Sequence, residues 1–294
     1  VLAIGPRLGE MTTSGYTLFD VPVPRQPLVH VHPGIDELGR VYQARLMINS
    51  GMPQFARAVR DLRVDPSAWR AATAEARADY EAWQQSPPLI RHLEPRVDLW
   101  AVVQTLRETL PADTIITNGA GNFATWAHRF WRYGPMRTQL APTSGAMGAG
   151  LPAAVAAKIT APQRTVVCFA GDGDFLMTGQ ELATAAQYGA GILVIVFNNG
   201  MYGTIRMHQE REYPSREVGS ALHNPDFARL CEAYGGWGTV VNATGEFVAA
   251  LDAARRFADS RRLPALIELR VDPQAITPGQ SLDQIRAAAT ARQG

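Results

Sequence analysis

Two apolar runs, RTVVCFA at 164–170 and ILVIVFNN at 192–199, constrain the fold of this chain most strongly. Runs of this length and composition are typical of strands buried on both faces of a parallel sheet. The segment between them, LMTGQELATAAQYG at 176–189, has the apolar spacing of a helix that ends at a glycine. A strand, a helix and a second strand in this order predict two parallel strands joined by a crossover helix.

The same alternation extends over the rest of the chain and predicts an α/β fold: a doubly wound parallel sheet with helices on both faces. Further strands are predicted at 1–4, 28–32, 113–118, 238–241 and 264–271, and further helices at 52–62, 66–85, 97–110, from 148 onward, 226–235 and 245–260.

Composition and charge limit the classes of partner. The chain has 294 residues, 46% of them hydrophobic and 19% charged, with a formal net charge of +1. This balance argues against nucleic acid or an anionic membrane surface as a partner. No apolar stretch reaches the roughly 18 residues of a membrane span. The two cysteines, Cys168 and Cys231, form no spacing pattern, so we expect a reduced, cytoplasmic protein.

Polar and glycine residues follow three of the predicted strands: NGAGN at 118–122, GDGDF at 171–175, and Asn198 with Asn199. In open α/β sheets, ligands bind at the carboxyl ends of strands, so we expect these segments to meet in one crevice. Asp172 and Asn199 offer a carboxylate and an amide oxygen, which suit Mg²⁺ together with phosphate oxygens. For an isolated GDG, a plain tight turn is the alternative.

Gly171 and Gly173 would let the main chain approach a phosphate closely. A helix beginning near Leu176 would direct its free N–H groups at the same anion. The pattern therefore predicts a metal site combined with a phosphate cradle.

In this sequence GDG at 171–173 is followed by 24 residues and then by NN at 198–199. The motif and its spacing resemble the signature of thiamine-diphosphate-dependent enzymes. SGAMGAGLPAA at 144–154 and GQEL at 179–182 are similar to that family as well, and NNGMYGTIRMHQ at 198–209 resembles its acetolactate synthase-like branch. The resemblance implies a domain order: 1–62, the last part of a Rossmann-like central domain; 63–95, a linker with a helix; 96–285, the diphosphate-binding domain; and 286–294, a tail.

The resemblance also implies roles for individual residues. Asp172, Asn199 and the main-chain carbonyl of Met201 would bind Mg²⁺. The cofactor would lie bent over Met147, a catalytic position, with main-chain groups of Gly145 and Met147 holding its aminopyrimidine. The other residues implied in cofactor binding are Gly121, Asn122, Gly171, Gly173, Asp174, Tyr202 and Gly203.

The implied activity is decarboxylation or carboligation of a small 2-keto acid, with thiamine diphosphate as electron sink. Other 2-keto acid or acyl-CoA decarboxylases of the family, and a chain that binds the cofactor without activity of its own, remain alternatives. A nucleotide-dependent dehydrogenase is disfavoured, because no G-x-G-x-x-G follows a first strand. Whether FAD also binds stays open.

The sequence differs at two places from the residues that are usual in acetolactate synthases. Asn122 and Phe123 stand where those enzymes usually have Gln-His, and His208 stands where a Trp helps to select the second keto acid. The resemblance therefore implies a role for His208 in acceptor choice, with a surface-loop histidine as the alternative.

The chain begins VLAIGPRLGE, inside a predicted strand and without an initiator Met. We therefore expect it to be part of a longer polypeptide. In the family a glutamate that activates the cofactor comes from an N-terminal pyrimidine-binding domain across a dimer interface. The resemblance implies that this domain is missing here, that the full protein is a homodimer or homotetramer, and that these residues alone are catalytically silent.

Overall fold

The structure, a computed structural model, describes residues 1–88 and 97–293. It consists of two compact units, Val1–Ala76 and Arg77–Gly294. The division falls within the segment predicted as a linker, inside a helix at Arg70–Trp83. The part of that linker at 89–95 lies outside the described residues.

The first unit contains a small parallel sheet. Its strands β1 (Leu2–Ile4), β2 (Val29–His32) and β3 (Leu46–Asn49) lie in the order β1-β2-β3, and helix α1 (Met52–Val59) follows them, ahead of α2 (Arg70–Trp83). Strand β3 was not predicted, because its four residues are mostly exposed and show no regular apolar alternation.

The second unit is built on a six-stranded sheet in which every neighbouring pair is parallel. Its strands are β4 (Ile115–Asn118), β5 (Gln139–Leu140), β6 (Val166–Gly171), β7 (Leu193–Asn198), β8 (Trp237–Val241) and β9 (Ala265–Arg270). Their order in the sheet is β5-β4-β6-β7-β9-β8. Every residue of β6 and β7 is buried, as the apolar runs predicted.

Helices cover both faces of this sheet, which confirms the doubly wound α/β prediction. Val167 and Phe169 of β6 pack into one core, and Cys168 and Ala170, whose side chains alternate with them, pack into the other. The helices of this unit are α3 (Leu99–Thr109), α4 (Ala124–Phe130), α5 (Gly150–Thr160), α6 (Asp172–Phe175), α7 (Glu181–Gln187), α8 (Gly203–Glu212), α9 (Phe227–Ala233), α10 (Phe247–Arg261) and α11 (Leu282–Gln293). Helices α3, α4 and α10 contribute to the first core, and α5, α7 and α9 contribute to the second.

Two helices differ from the sequence expectations. The segment after Asn199, expected as a loop, forms α8 from Gly203. Residues 286–294, expected as a tail, belong up to Gln293 to α11, whose Ile285 and Ala289 are buried. Helix α8 is polar, and tertiary contacts of its buried Met207 and Glu210 define it rather than an apolar stripe. In α11 the buried Leu282, Ile285 and Ala289 recur at helical spacing and form a short apolar face. None of the described helices is long and apolar enough to cross a membrane.

Candidate cofactor site

The carboxyl ends of three adjacent strands form the edge of the sheet that carries the candidate site. Strand β4 ends at Asn118, β6 at Gly171 and β7 at Asn198. The strand order reverses between β4 and β6, because β4 is followed in the chain by the edge strand β5 and the chain then returns to β6 on the other side. Ligands bind at such a switch point in open α/β sheets. The predicted convergence of the three segments is confirmed.

Asp172 is the buried acid at this edge, with 3% of its surface exposed. Its Oδ1 accepts the N–H of Gly173 at 2.9 Å, and its Oδ2 accepts the N–H of Gly200 and the side-chain amide of Asn224, both at 2.8 Å. Burial raises the pKa of Asp172, and these hydrogen bonds to the charged form oppose the rise. A carboxylate has about four acceptor sites, so Asp172 keeps capacity for a further ligand.

The loop after β7 contains Met201, whose main chain is flanked by hydrogen bonds to a segment further along the chain. Two main-chain hydrogen bonds of 2.8 Å pair segment 200–202 with segment 220–222, which makes an antiparallel bridge between Met201 and Ala221. In this pairing the N–H and carbonyl of Met201 point away from Ala221. The N–H donates to Asn199 Oδ1 at 3.2 Å. Within the described residues, no hydrogen-bond donor occupies the Met201 carbonyl.

Asp174 holds two loops of the site together. Its Oδ1 accepts the main-chain N–H of Gly148 at 2.8 Å and that of Ala120 at 3.0 Å. The side chain is buried, and burial raises the pKa of Asp174 to about 6 against the opposing effect of these two bonds. The carboxylate thus ties the loop after β4 to the turn that precedes α5.

A cavity lies over this edge of the sheet. Its other walls are largely apolar and include Leu99, Phe123, Trp126, Phe197 and Ile276. The predicted site residues that line it are Gly121, Asn122, Met147, Gly171, Asp172, Asp174, Asn199, Met201, Tyr202 and Gly203.

These groups fit a divalent cation that binds oxygen. Asp172 supplies a carboxylate, Asn199 an amide oxygen with one lone pair in use, and Met201 a carbonyl that no described donor occupies. Such a set of oxygens suits Mg²⁺, Ca²⁺ or Mn²⁺ better than the metals that prefer sulfur or imidazole ligands. Gly121 and Gly171 make room for the Phe123 ring, because a Cβ on either would lie 2.8 Å from it.

Three predicted residues do not line the cavity. Gly145 is exposed, in a turn with φ of +67°. Gly173 lies beneath Tyr202, where a Cβ would come within 2.5 Å of the ring, so it supports a wall instead of forming one. His208 is exposed on α8, next to the buried Met207.

The helix start predicted near Leu176 is wrong. A single helical turn, α6, begins at Asp172 itself, and the next helix, α7, begins at Glu181. Gly173 donates its N–H to Asp172, so the first free N–H groups of that turn are not all directed at a ligand. The sequence did not predict this helical turn, because it contains glycine, which disfavours helix interiors.

Sequence reasoning missed two contacts of the site. Asn122 is held by Thr204: its N–H donates to Thr204 Oγ1 at 3.0 Å, and that hydroxyl donates to Asn122 Oδ1 at 3.0 Å. Asn224 reaches Asp172 from a segment more than fifty residues away. The only local signal at Asn224 is the turn-forming Asn-Pro ahead of α9, which reveals no partner.

Comparison with known proteins places the site in a family. Residues 119–269, slightly more than half of the chain, match the family described as "Thiamine pyrophosphate enzyme, C-terminal TPP binding domain". The acetolactate synthase of Arthrospira platensis is 40% identical over 52% of this chain and 24% of its own length. That of Mycobacterium avium is 31% identical over 98% of this chain and 48% of its own length. The acetolactate synthase isozyme 3 large subunit of Escherichia coli K12 is 29% identical over 92% and 48%, respectively.

The chain spans at most about half the length of these relatives. The matched family region contains Gly121, Asp172, Asn199 and Met201, together with strands β5, β6, β7 and β8 and all but the last residue of β9. The resemblance seen in the sequence motifs is thereby confirmed, and the chain belongs to the thiamine-diphosphate-dependent enzymes, in their acetolactate synthase-like branch.

Proposed function

We propose that the protein is a carboligase or decarboxylase of 2-keto acids that depends on thiamine diphosphate and Mg²⁺. The observation that carries this proposal is that Asp172, Asn199 and Met201, each with an oxygen that suits a hard cation, line one cavity at the switch point of the sheet. Gly121 and Gly171 line the same cavity.

In this proposal Asp172, Asn199 and the Met201 carbonyl hold the cation, and the cation holds the diphosphate. Bound thiamine diphosphate supplies a carbon nucleophile and an electron sink for the loss of CO₂ from a 2-keto acid. The protein residues contribute position and electrostatics. Met147, half-buried on the cavity wall, would contact the bound cofactor. Asp174 fixes the loops that carry Ala120 and Gly148 and keeps the cavity in shape.

The loop after β4 sets this protein apart from acetolactate synthases. Phe123 packs against Phe197, with ring centroids 5.9 Å apart, and Asn122 is engaged by Thr204. An apolar, non-titratable side chain therefore replaces a histidine near the proposed diphosphate. This supports a second candidate within the family, a decarboxylase or lyase of another 2-keto acid or of an acyl-CoA.

His208 is proposed to act on acceptor choice in the assembled enzyme. The proposal for the complete enzyme also includes a pyrimidine-binding domain and a homodimer or homotetramer. Two of the relatives are named as large subunits, which supports assembly into an oligomer and nothing finer.

The test is calorimetric binding of thiamine diphosphate to the full chain in Mg²⁺. Asp172→Ala removes the only anionic ligand of the set, and we expect cofactor binding to fall below detection. Asp252→Ala, an exposed acid on α10, is the matched control and should bind as the parent does. Equal affinity of Asp172→Ala and the parent protein would refute the metal assignment. Products formed from pyruvate, alone and with a second keto acid, then distinguish carboligation from decarboxylation.

A further inference from the structure

Asn224 lies in the turn before α9, and its side chain reaches the candidate metal site. Its Nδ2 donates one hydrogen bond to Asp172 Oδ2 at 2.8 Å and another to Asn198 Oδ1 at 2.9 Å. Both protons of the amide are therefore used, one of them on the carboxylate that we assign to the metal. A hydrogen bond to an ionised group is stronger than one between neutral groups.

The orientation of this amide is fixed by the residues behind it. Glu268 of β9 is fully buried, and its Oε1 lies 2.7 Å from Asn198 Nδ2 and 2.8 Å from Arg270 Nε. An ionised carboxylate only accepts hydrogen bonds, so Asn198 must direct its NH₂ group at Glu268 and its oxygen at Asn224. Asn224 must then present its own NH₂ group, which is the group that Asp172 requires.

The same segment also holds the proposed carbonyl ligand. Residues 220–222 pair with 200–202 on either side of Met201, and Asn224 follows two residues later. One short stretch of chain thus contacts Asp172 through a side chain and brackets Met201 through its main chain. Side chains that hydrogen-bond to metal ligands orient those ligands and tune their affinity for the metal.

We propose that Asn224 is a positioning residue of the metal site, which fixes the Asp172 carboxylate relative to the loop that carries Asn199 and Met201. This inference rests on the proposed function, because it concerns the same site. Its removal should weaken Mg²⁺ binding by roughly 10–100-fold, the usual effect of losing such a partner.

The experiment compares Asn224→Ala and Asn224→Leu in the full chain. Leucine keeps the branched shape of asparagine in a larger side chain and removes both donors, whereas alanine removes the donors and leaves space, so the two variants together separate hydrogen bonding from space filling. Mg²⁺ is titrated into protein with saturating thiamine diphosphate, and binding is followed by calorimetry. Melting temperatures are measured in EDTA without cofactor. Asn242→Ala, an exposed asparagine in another loop, is the matched control.

We expect both Asn224 variants to lose Mg²⁺ affinity to a similar extent, while Asn242→Ala retains it. If Asn224→Ala does not fold, the leucine variant decides alone. Parental Mg²⁺ affinity in folded Asn224→Leu would overturn this inference and leave the proposed function intact. Failure of the parent protein itself to bind Mg²⁺ and thiamine diphosphate would instead refute the proposed function.

Discussion

Arg286 forms a two-pronged ion pair with Glu210: its Nε lies 2.8 Å from Oε2 and its Nη2 lies 2.8 Å from Oε1. The pair joins α11 to α8, the helix that follows the proposed metal-binding loop. The Glu210 side chain is 1% exposed and also accepts hydrogen bonds from Arg206 and from the Ser215 N–H. Arg206 therefore adds a second positive charge beside Glu210.

Loss of this pair should destabilise the protein. Arg286→Leu leaves a buried carboxylate with fewer donors, and we expect the free energy of unfolding to fall by roughly 2–3 kcal/mol, since Arg206 still compensates part of the charge. Urea unfolding followed by circular dichroism measures the change. Arg292→Leu, on the exposed side of the same helix, is the control and should stay within about 0.5 kcal/mol of the parent. A similar loss in both variants would show that helix content, and not the ion pair, is responsible.

The pair should also make stability depend on acidity. The hydrogen bonds from Arg286, ahead of those from Ser215 and Arg206, lower the pKa of Glu210 to about 2. A depressed folded-state pKa stabilises the protein above the unfolded-state value of 4.5, and this contribution disappears as the pH falls toward about 2. The stability difference between the parent and Glu210→Gln should therefore shrink by up to about 3 kcal/mol between pH 6 and pH 2. A difference that is independent of pH would contradict the prediction. Comparing the two proteins cancels the contribution of Asp174, whose raised pKa acts in the opposite direction.

Asp174→Ala should loosen two loops at once, because it leaves the half-buried N–H group of Ala120 and the buried N–H group of Gly148 without their acceptor. We expect a loss of roughly 2–5 kcal/mol in unfolding free energy and faster hydrogen exchange at both amides. Asp174→Asn retains an oxygen acceptor and should lose less than half of that. Unchanged exchange at Ala120 in Asp174→Ala would show that another contact holds the loop.

Gly150→Ala tests the approach of α5 to the end of β4. A Cβ at this position would lie 2.7 Å from the Gly119 nitrogen and 2.9 Å from the Asn118 carbonyl carbon, and main-chain atoms cannot turn aside. We expect a loss of roughly 1–3 kcal/mol and weaker binding of thiamine diphosphate, since the displaced loop lines the cavity. At Gly245 no heavy atom lies within 4 Å of an added Cβ among the described residues, so Gly245→Ala is the matched control. Thermal unfolding and calorimetry check both effects.

The sequence indicated the central strands and the three strand ends of the site, because β6 and β7 are continuous apolar runs and their polar ends stand out. It did not indicate the contacts that hold those ends in place. Asn224 meets Asp172, and Thr204 meets Asn122, over sequence separations of 52 and 82 residues. No local sequence pattern indicates contacts between residues so far apart in the chain. They form only when the strands and helices pack together. Helix α8 was missed for the same reason, since Glu210 and its arginines stabilise a segment of weak amphipathicity.

Met201 combines two roles in one residue. Its side chain is buried in a small cluster with Met207, Ile276, Leu282 and Ile285, while its main-chain carbonyl is the proposed third ligand of the cation. Every amino acid has that carbonyl, so a replacement at this position would preserve the chemical identity of the ligand and alter only where it stands. The cluster reaches into α11, about eighty residues further along the chain. Relatives could thus diverge in metal affinity through substitutions in their last helix while their aligned metal ligands remain identical.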